Sequence, residues 1–166
     1  RVLEVNQEEL WCRVQPGVIQ DELNAHVRPM GLLFGPDTST SNRATIGGMI
    51  GNNSSGSHSI VYGTTVDHVH ELDVVLADGS RATLGRDAGP PRIRDGMRAI
   101  LRDHAGAIAT GYPDHWRQSG GYRLDRLARD FDLAKLVTGS EGTLVAITEA
   151  TVGLVELPGE AELRYR

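Results

Sequence analysis

Residues 43 to 63 run Arg-Ala-Thr-Ile-Gly-Gly-Met-Ile-Gly-Asn-Asn-Ser-Ser-Gly-Ser-His-Ser-Ile-Val-Tyr-Gly and set two kinds of chemistry side by side. Gly47, Gly48, Gly51 and Gly56 let backbone come close to a ligand or turn with φ > 0. Thr45, Asn52, Asn53, Ser54 and Ser55 add hydroxyl and amide donors around them. Successive backbone N–H groups in such a segment form a concavity for phosphate oxygens. The stretch has no Lys, so a phosphate here is held by neutral donors rather than by a point charge. That points to the pyrophosphate of a bound dinucleotide more than to a phosphoryl group in transfer. The plainer reading is a glycine-rich loop that only turns tightly.

Other polar stretches are weaker alone. Pro36-Asp37-Thr38-Ser39 is a loop with a turn-former at its head. Gly139-Ser140-Glu141-Gly142-Thr143 lacks the Gly-Lys-Ser/Thr ending of a phosphate loop. It also lacks the Gly-x-Ser-x-Gly of a nucleophile elbow. His68 and His70 share a face if they lie on a strand, and His58 sits inside the glycine-rich stretch. None of the six histidines has a Cys, Asp or Glu partner at a compelling metal-ligand spacing, so no metal is expected.

These residues must be positioned by a mixed set of elements. The chain opens in what reads as a strand, and Leu10 to Val14 reads as another, stopped by Pro16-Gly17. Ile19 to Met30 carries apolar residues at helical spacing, with Gly31 as its stop. Ile46 to Asn53 reads as a short glycine-interrupted helix whose N-terminus would favour an anion. Val69 to Ala77, Asp78-Gly79 and Ser80 to Leu84 form a hairpin. Ile93 to Ala109 is helical by pattern; Leu124–Leu127 and Leu133–Val137 flank a further turn; Thr143 to Val155 is a β-branched run. Without regular βαβ alternation, the expectation is an α+β fold, a mainly antiparallel sheet with flanking helices.

The chain has 166 residues, enough for one domain with a real core, and 39% hydrophobic with 5% aromatic residues fits a globular protein. Its 20 glycines are dispersed among apolar runs, which signals tight turns rather than low complexity. A net charge of −5 argues against nucleic acid. No apolar run is long enough to span a membrane, and the first residues lack a signal-peptide core. Cys12 is the only cysteine, which excludes an internal disulfide or a four-thiolate iron–sulfur cluster within this chain and makes a cytoplasmic setting the default.

Taken in order, Val14–Gly17, Phe34–Asp37, Thr45-Ile46-Gly47-Gly48 with Asn53-Ser54-Ser55-Gly56 and Tyr62-Gly63, Gly121–Leu124, and Gly139–Leu144 resemble the successive blocks of the FAD-linked oxidase family. Five blocks in register cover nearly the whole chain, and the wording is nearest to the large iron–sulfur-linked D-lactate and D-2-hydroxyglutarate dehydrogenase-like flavoproteins. The resemblance implies FAD as cofactor and the second subdomain of a PCMH-type FAD-binding domain. It further implies that residues 1–166 are a fragment of a larger flavoprotein, the first FAD subdomain and cap domain lying elsewhere. The implied activity is oxidation of a small 2-hydroxy acid by hydride transfer to FAD, any iron–sulfur cluster lying outside this chain. A non-catalytic nucleotide or phosphate-binding module is the alternative.

By resemblance the cofactor is met by Pro36, Asp37, Thr38 and Ser39, by Thr45, Ile46, Gly47, Gly48, Asn52, Asn53, Ser55, Gly56, Tyr62 and Gly63, and by Glu141, Gly142 and Ile147. Val145 stands where the family has Gly. Arg117, before Gly120-Gly121-Tyr122, faces either a substrate carboxylate or solvent. No general base is assigned in this chain. The isolated fragment is expected to be inactive, to bind FAD weakly, and to expose apolar surface suited to self-association.

Overall fold

Residues of alternating burial define the central sheet. Cys12 and Val14, Leu72 and Val74, and Ala150 and Val152 are all at most 1% exposed and share one face. The computed structural model describes residues 1–113, 118–119 and 121–158. In it β1 (Val2–Asn6), β2 (Trp11–Val14), β4 (Val69–Leu76), β5 (Arg81–Gly85) and β6 (Val145–Gly153) form a five-stranded sheet of order β1-β2-β6-β4-β5. Every pairing is antiparallel. A smaller pair joins β3 (Leu32–Leu33) to β7 (Val155–Glu156). The α+β expectation holds.

The helices lie where apolar residues can cover that face. α1 (Gln20–Val27) buries Leu23 and Val27, and α2 (Ile46–Asn52) buries Ile46, Met49 and Ile50. α1 stops sooner than its apolar spacing suggests. Pro29 has no N–H for the helical ladder, so Arg28–Met30 tightens into a 3₁₀ turn that ends at Gly31 with φ 76°. The helix expected over 93–109 is two, α5 (Pro91–Asp103) and α6 (Ala105–Gly111), which part at His104 with φ −116° and ψ 19°. The first strand pair starts late because Leu10 takes φ 58°, leaving β2 to begin at Trp11.

Short helices fill the rest: α3 (Ser59–Tyr62), α4 (Thr65–His68), α7 (Leu124–Arg129) and α8 (Leu133–Val137). α5 is fastened outside the core by Phe131, whose ring lies 5.1 Å from the Arg94 guanidinium and 4.8 Å from that of Arg98. Burial pushes the Cys12 thiol up to about 12, so it stays a neutral core side chain. Among the described residues no helix is long and apolar enough to cross a membrane, and no group of three His, Cys, Asp or Glu could hold a metal ion.

Candidate functional site

α2 is the hub of the site, and its sequence explains its packing. Thr45 caps it, with Oγ1 accepting the Gly48 N–H at 3.2 Å. Ile46 N–H donates to the Val18 carbonyl and Gly47 N–H to the Pro16 carbonyl, each at 2.8 Å, and Met49 N–H to the Thr45 carbonyl at 2.9 Å. The first donors of the helix are therefore satisfied within the protein, and the expected anion cradle at its start is closed. Gly47 is required by Pro16 instead: a Cβ at 47 would stand 2.6 Å from the Pro16 Cβ. Gly47, Gly48, Gly51 and Gly56 are not among the residues with positive φ, so space rather than left-handed backbone is what they provide.

The far end of α2 receives the Gly139–Thr143 loop. Gly139 N–H donates to the Ile50 carbonyl at 2.8 Å and Glu141 N–H to that of Gly51 at 2.9 Å. The loop is sharply turned, with φ 90° at Gly139, 53° at Glu141 and 75° at Gly142. Glu141 is a non-glycine residue held in the left-handed region, a conformation that needs support from its surroundings. A cavity of about 260 Å³ opens between the loop and the helix. Pro16, Gly47 and Gly51 form one wall; Ser140, Gly142, Val145 and Ile147 form the other. Ser140 is 3% exposed, and its Oγ is buried without a hydrogen-bond partner among the described residues.

An unsatisfied buried hydroxyl costs on the order of 1–3 kcal/mol. Its place on a cavity built from glycines suits a polar ligand atom. The volume is smaller than the roughly 300–1,000 Å³ of a pocket that encloses a whole drug-sized ligand. It would take only part of a dinucleotide such as FAD, and Gly51 and Gly142 leave space where a side chain would stand.

On the other side of α2, polar groups are tied to one another. The Asp37 carboxylate accepts from His58 N–H at 2.9 Å and from Ser57 Oγ at 3.2 Å, and pairs with His58 Nδ1 at 2.9 Å. Gly56 lies so close that a Cβ there would fall 1.5 Å from the Asp37 carbonyl oxygen. Buried Gln20 braces the same loop, donating to the Pro36 carbonyl at 2.5 Å and accepting from Thr38 Oγ1 at 3.0 Å. Ser39 is exposed. His68 Nε2 lies 2.6 Å from the Tyr62 carbonyl, and Thr64 with Asp67 forms a capping box for α4 just after Gly63. Burial pushes the Asp67 carboxyl up, but Arg126 and the Thr64 N–H outweigh it and hold it below the ordinary range. Burial, together with His68, lowers His70.

Asn53 joins the two sides. Buried at φ 47°, it accepts the Val66 N–H on Oδ1 at 2.9 Å and donates through Nδ2 to the Gln118 carbonyl at 3.4 Å. The same carbonyl takes Arg123 NH1, also at 3.4 Å, and Arg123 is paired bidentately with Asp125 at 2.6 and 2.7 Å. Both partners are buried, and Arg123 holds the Asp125 carboxyl below its ordinary range.

Of the residues expected at a cofactor, Gly47, Gly142 and Ile147 line the cavity. Pro36, Asp37, Thr38, Gly56 and Tyr62 gather around the Asp37 contacts or the His68 bond instead. Thr45 and Ile46 hold α2, Asn52 and Glu141 face solvent, and Ser55 and Gly63 are partly exposed. The Arg117 and Gly120 readings lie outside the described residues. Gly51, which the sequence reading named among the glycines that let backbone approach a ligand, lines the cavity too; that reading passed over Pro16 and Ser140, for which the Pro-Gly pair after β2 and the serine within the Gly139–Thr143 block were the available signals.

Residues 1–85 match the model of a family described as FAD binding domain. The chain is 41% identical over 174 residues to D-2-hydroxyglutarate dehydrogenase of Escherichia coli (strain K12), covering 95% of this chain and 17% of that protein. It is 36% identical over 158 residues to glycolate oxidase subunit GlcD of Bacillus subtilis (strain 168), covering 95% of this chain and 26% of that one. The chain thus spans a sixth to a quarter of these relatives. A solved alkyldihydroxyacetonephosphate synthase shares the fold, with a TM-score of 0.61 at 23% identity over 95% of this chain and 22% of its own. With more than half its length matched by the family model, the chain belongs to the FAD-binding domain family.

Proposed function

We propose that this chain is one FAD-binding subdomain of a longer flavin-dependent oxidoreductase that oxidises a 2-hydroxy acid. The observation that carries the reading is a cavity of about 260 Å³ bounded by three of the sequence blocks that resemble FAD-linked oxidases, one of which supplies Ser140, whose buried hydroxyl has no partner among the described residues. The size supports a half-site whose other wall comes from a further subdomain. Relatives named as a D-2-hydroxyglutarate dehydrogenase and a glycolate oxidase subunit support the substrate class.

FAD, when bound, supplies the two-electron acceptor for the hydride of the substrate's α-carbon. The residues of this chain bind and orient. Ser140 donates to a polar atom of the cofactor. Gly51 and Gly142 admit it closely, and Val145 and Ile147 exclude water from the wall. Asp37, Gln20 and Asn53 hold the neighbouring loops in place. The lone buried Cys12 supports a reducing, cytoplasmic setting. Ile60 and Val61, 81% and 53% exposed, support self-association of the chain when it is isolated.

Full-length protein should stay yellow through gel filtration, and an anaerobic 2-hydroxy acid (D-lactate, glycolate or D-2-hydroxyglutarate) should bleach the flavin band. A colourless protein whose stability rises with ADP would replace this reading with a non-catalytic nucleotide-binding module.

A further inference from the structure

Tyr122 is 43% exposed, yet its carbonyl and its hydroxyl are both held. The Tyr112 hydroxyl donates to the Tyr122 carbonyl at 2.6 Å and accepts the Leu124 N–H at 3.2 Å. The Tyr122 hydroxyl lies 2.8 Å from Thr143 Oγ1. Thr143 has a single hydroxyl proton, which it donates to the Ser140 carbonyl at 2.6 Å, so Tyr122 is the donor in their pair. A directed relay results: Tyr122 hydroxyl to Thr143 hydroxyl to Ser140 carbonyl. It ends on a residue that lines the cavity.

The loop that carries Ser140 has reason to need this support. Its backbone turns through positive φ at Gly139, Glu141 and Gly142, and α2 holds it through the Ile50 and Gly51 carbonyls. The relay adds a hold at the Ser140 carbonyl. Gly139 is also packed between Asn53 and the chain before Tyr122, with the Gly121 carbonyl 3.8 Å from where its Cβ would be.

We infer that Tyr122 is a positioning residue for the cofactor: through Thr143 it keeps Ser140 presented to the cavity. The inference rests on the FAD reading above, and Tyr122 is not among the residues lining the cavity. Tyr122→Phe keeps the ring and removes only the relay's donor. The test is amide hydrogen exchange of the FAD-free full-length protein, with FAD titration followed by flavin fluorescence, on the unsubstituted protein, Tyr122→Phe, Thr143→Val and the double variant.

Each single variant should speed exchange across residues 139–144 roughly five- to ten-fold, as expected for one lost hydrogen bond, and leave β4 and β6 unchanged. FAD affinity should fall by a similar factor, and the double variant should lose no more than the worse single one. Unchanged exchange in Tyr122→Phe overturns the inference, as does faster exchange with FAD affinity intact. If the unsubstituted protein takes up no FAD, the FAD reading falls and the positioning role falls with it; the exchange result then decides separately whether Tyr122 holds the loop.

Discussion

The two sides of α2 use similar residues to opposite ends. On one side the Asp37 carboxylate is met by three donors from Ser57 and His58, and Gln20 ties down the loop beside it. On the other, the Ser140 hydroxyl is more deeply buried and has none among the described residues. A polar side chain in a glycine-rich segment is therefore no guide to ligand contact until its partners are known. Where the protein satisfies its own polar atoms, the segment is scaffold. Where one is left unsatisfied beside a cavity, the segment is the candidate for ligand contact.

The largest disturbance should come from the support the two sides share. Asp125→Ala leaves the Arg123 guanidinium buried without its partner and should cost about 3–5 kcal/mol in denaturant unfolding. Both sides should loosen together, because Arg123 and Asn53 meet at the Gln118 carbonyl. The intact pair also sets an acid dependence. Arg123 holds the Asp125 carboxyl below the ordinary value of about 3.9, so the stabilisation is fully present above that pH. It should disappear as pH falls through the lower folded-state value, and Asp125→Asn should flatten that part of the stability profile.

Gly56→Ala breaks one side alone. Its methyl would overlap the Asp37 carbonyl, and the forced backbone shift should cost about 2–3 kcal/mol. Exchange should quicken in residues 54–63 and stay slow in residues 139–144. Asp37→Asn is milder, since one amide oxygen can still accept the His58 N–H. A loss of about 0.5–1.5 kcal/mol is expected, confined to the same segment. Equal loosening of the Ser140 loop in either variant would show that the two sides are not independent.

What the sequence made legible follows from the range of the forces. The hairpin at Asp78-Gly79 depends on neighbours in sequence and could be read directly; the Thr45 cap is equally local, yet the sequence reading gave that hydroxyl to the cofactor. α3 and α4 could not: each is a single turn of four residues, stabilised by caps and by the His68 bond to Tyr62 rather than by any apolar period. The blocks around the site were legible, but the division of labour within them was not. Asp37 meets partners some twenty residues away, and the isolation of Ser140 depends on α2, β6 and the turn at Pro16 converging. The anion cradle expected at the start of α2 failed for the same reason, its donors being taken by Pro16 and Val18 from an earlier turn.

Ser140→Ala tests the central claim most directly, with two quantities measured on one full-length protein. Removing an unsatisfied buried hydroxyl should leave the FAD-free protein as stable as before or stabilise it by up to about 1 kcal/mol. The same change should lower FAD affinity by about five- to ten-fold, the worth of one hydrogen bond to the cofactor. A gain or no change in stability with weaker FAD binding is the predicted result. Undiminished FAD affinity would contradict the account, because the hydroxyl would then have no ligand to meet.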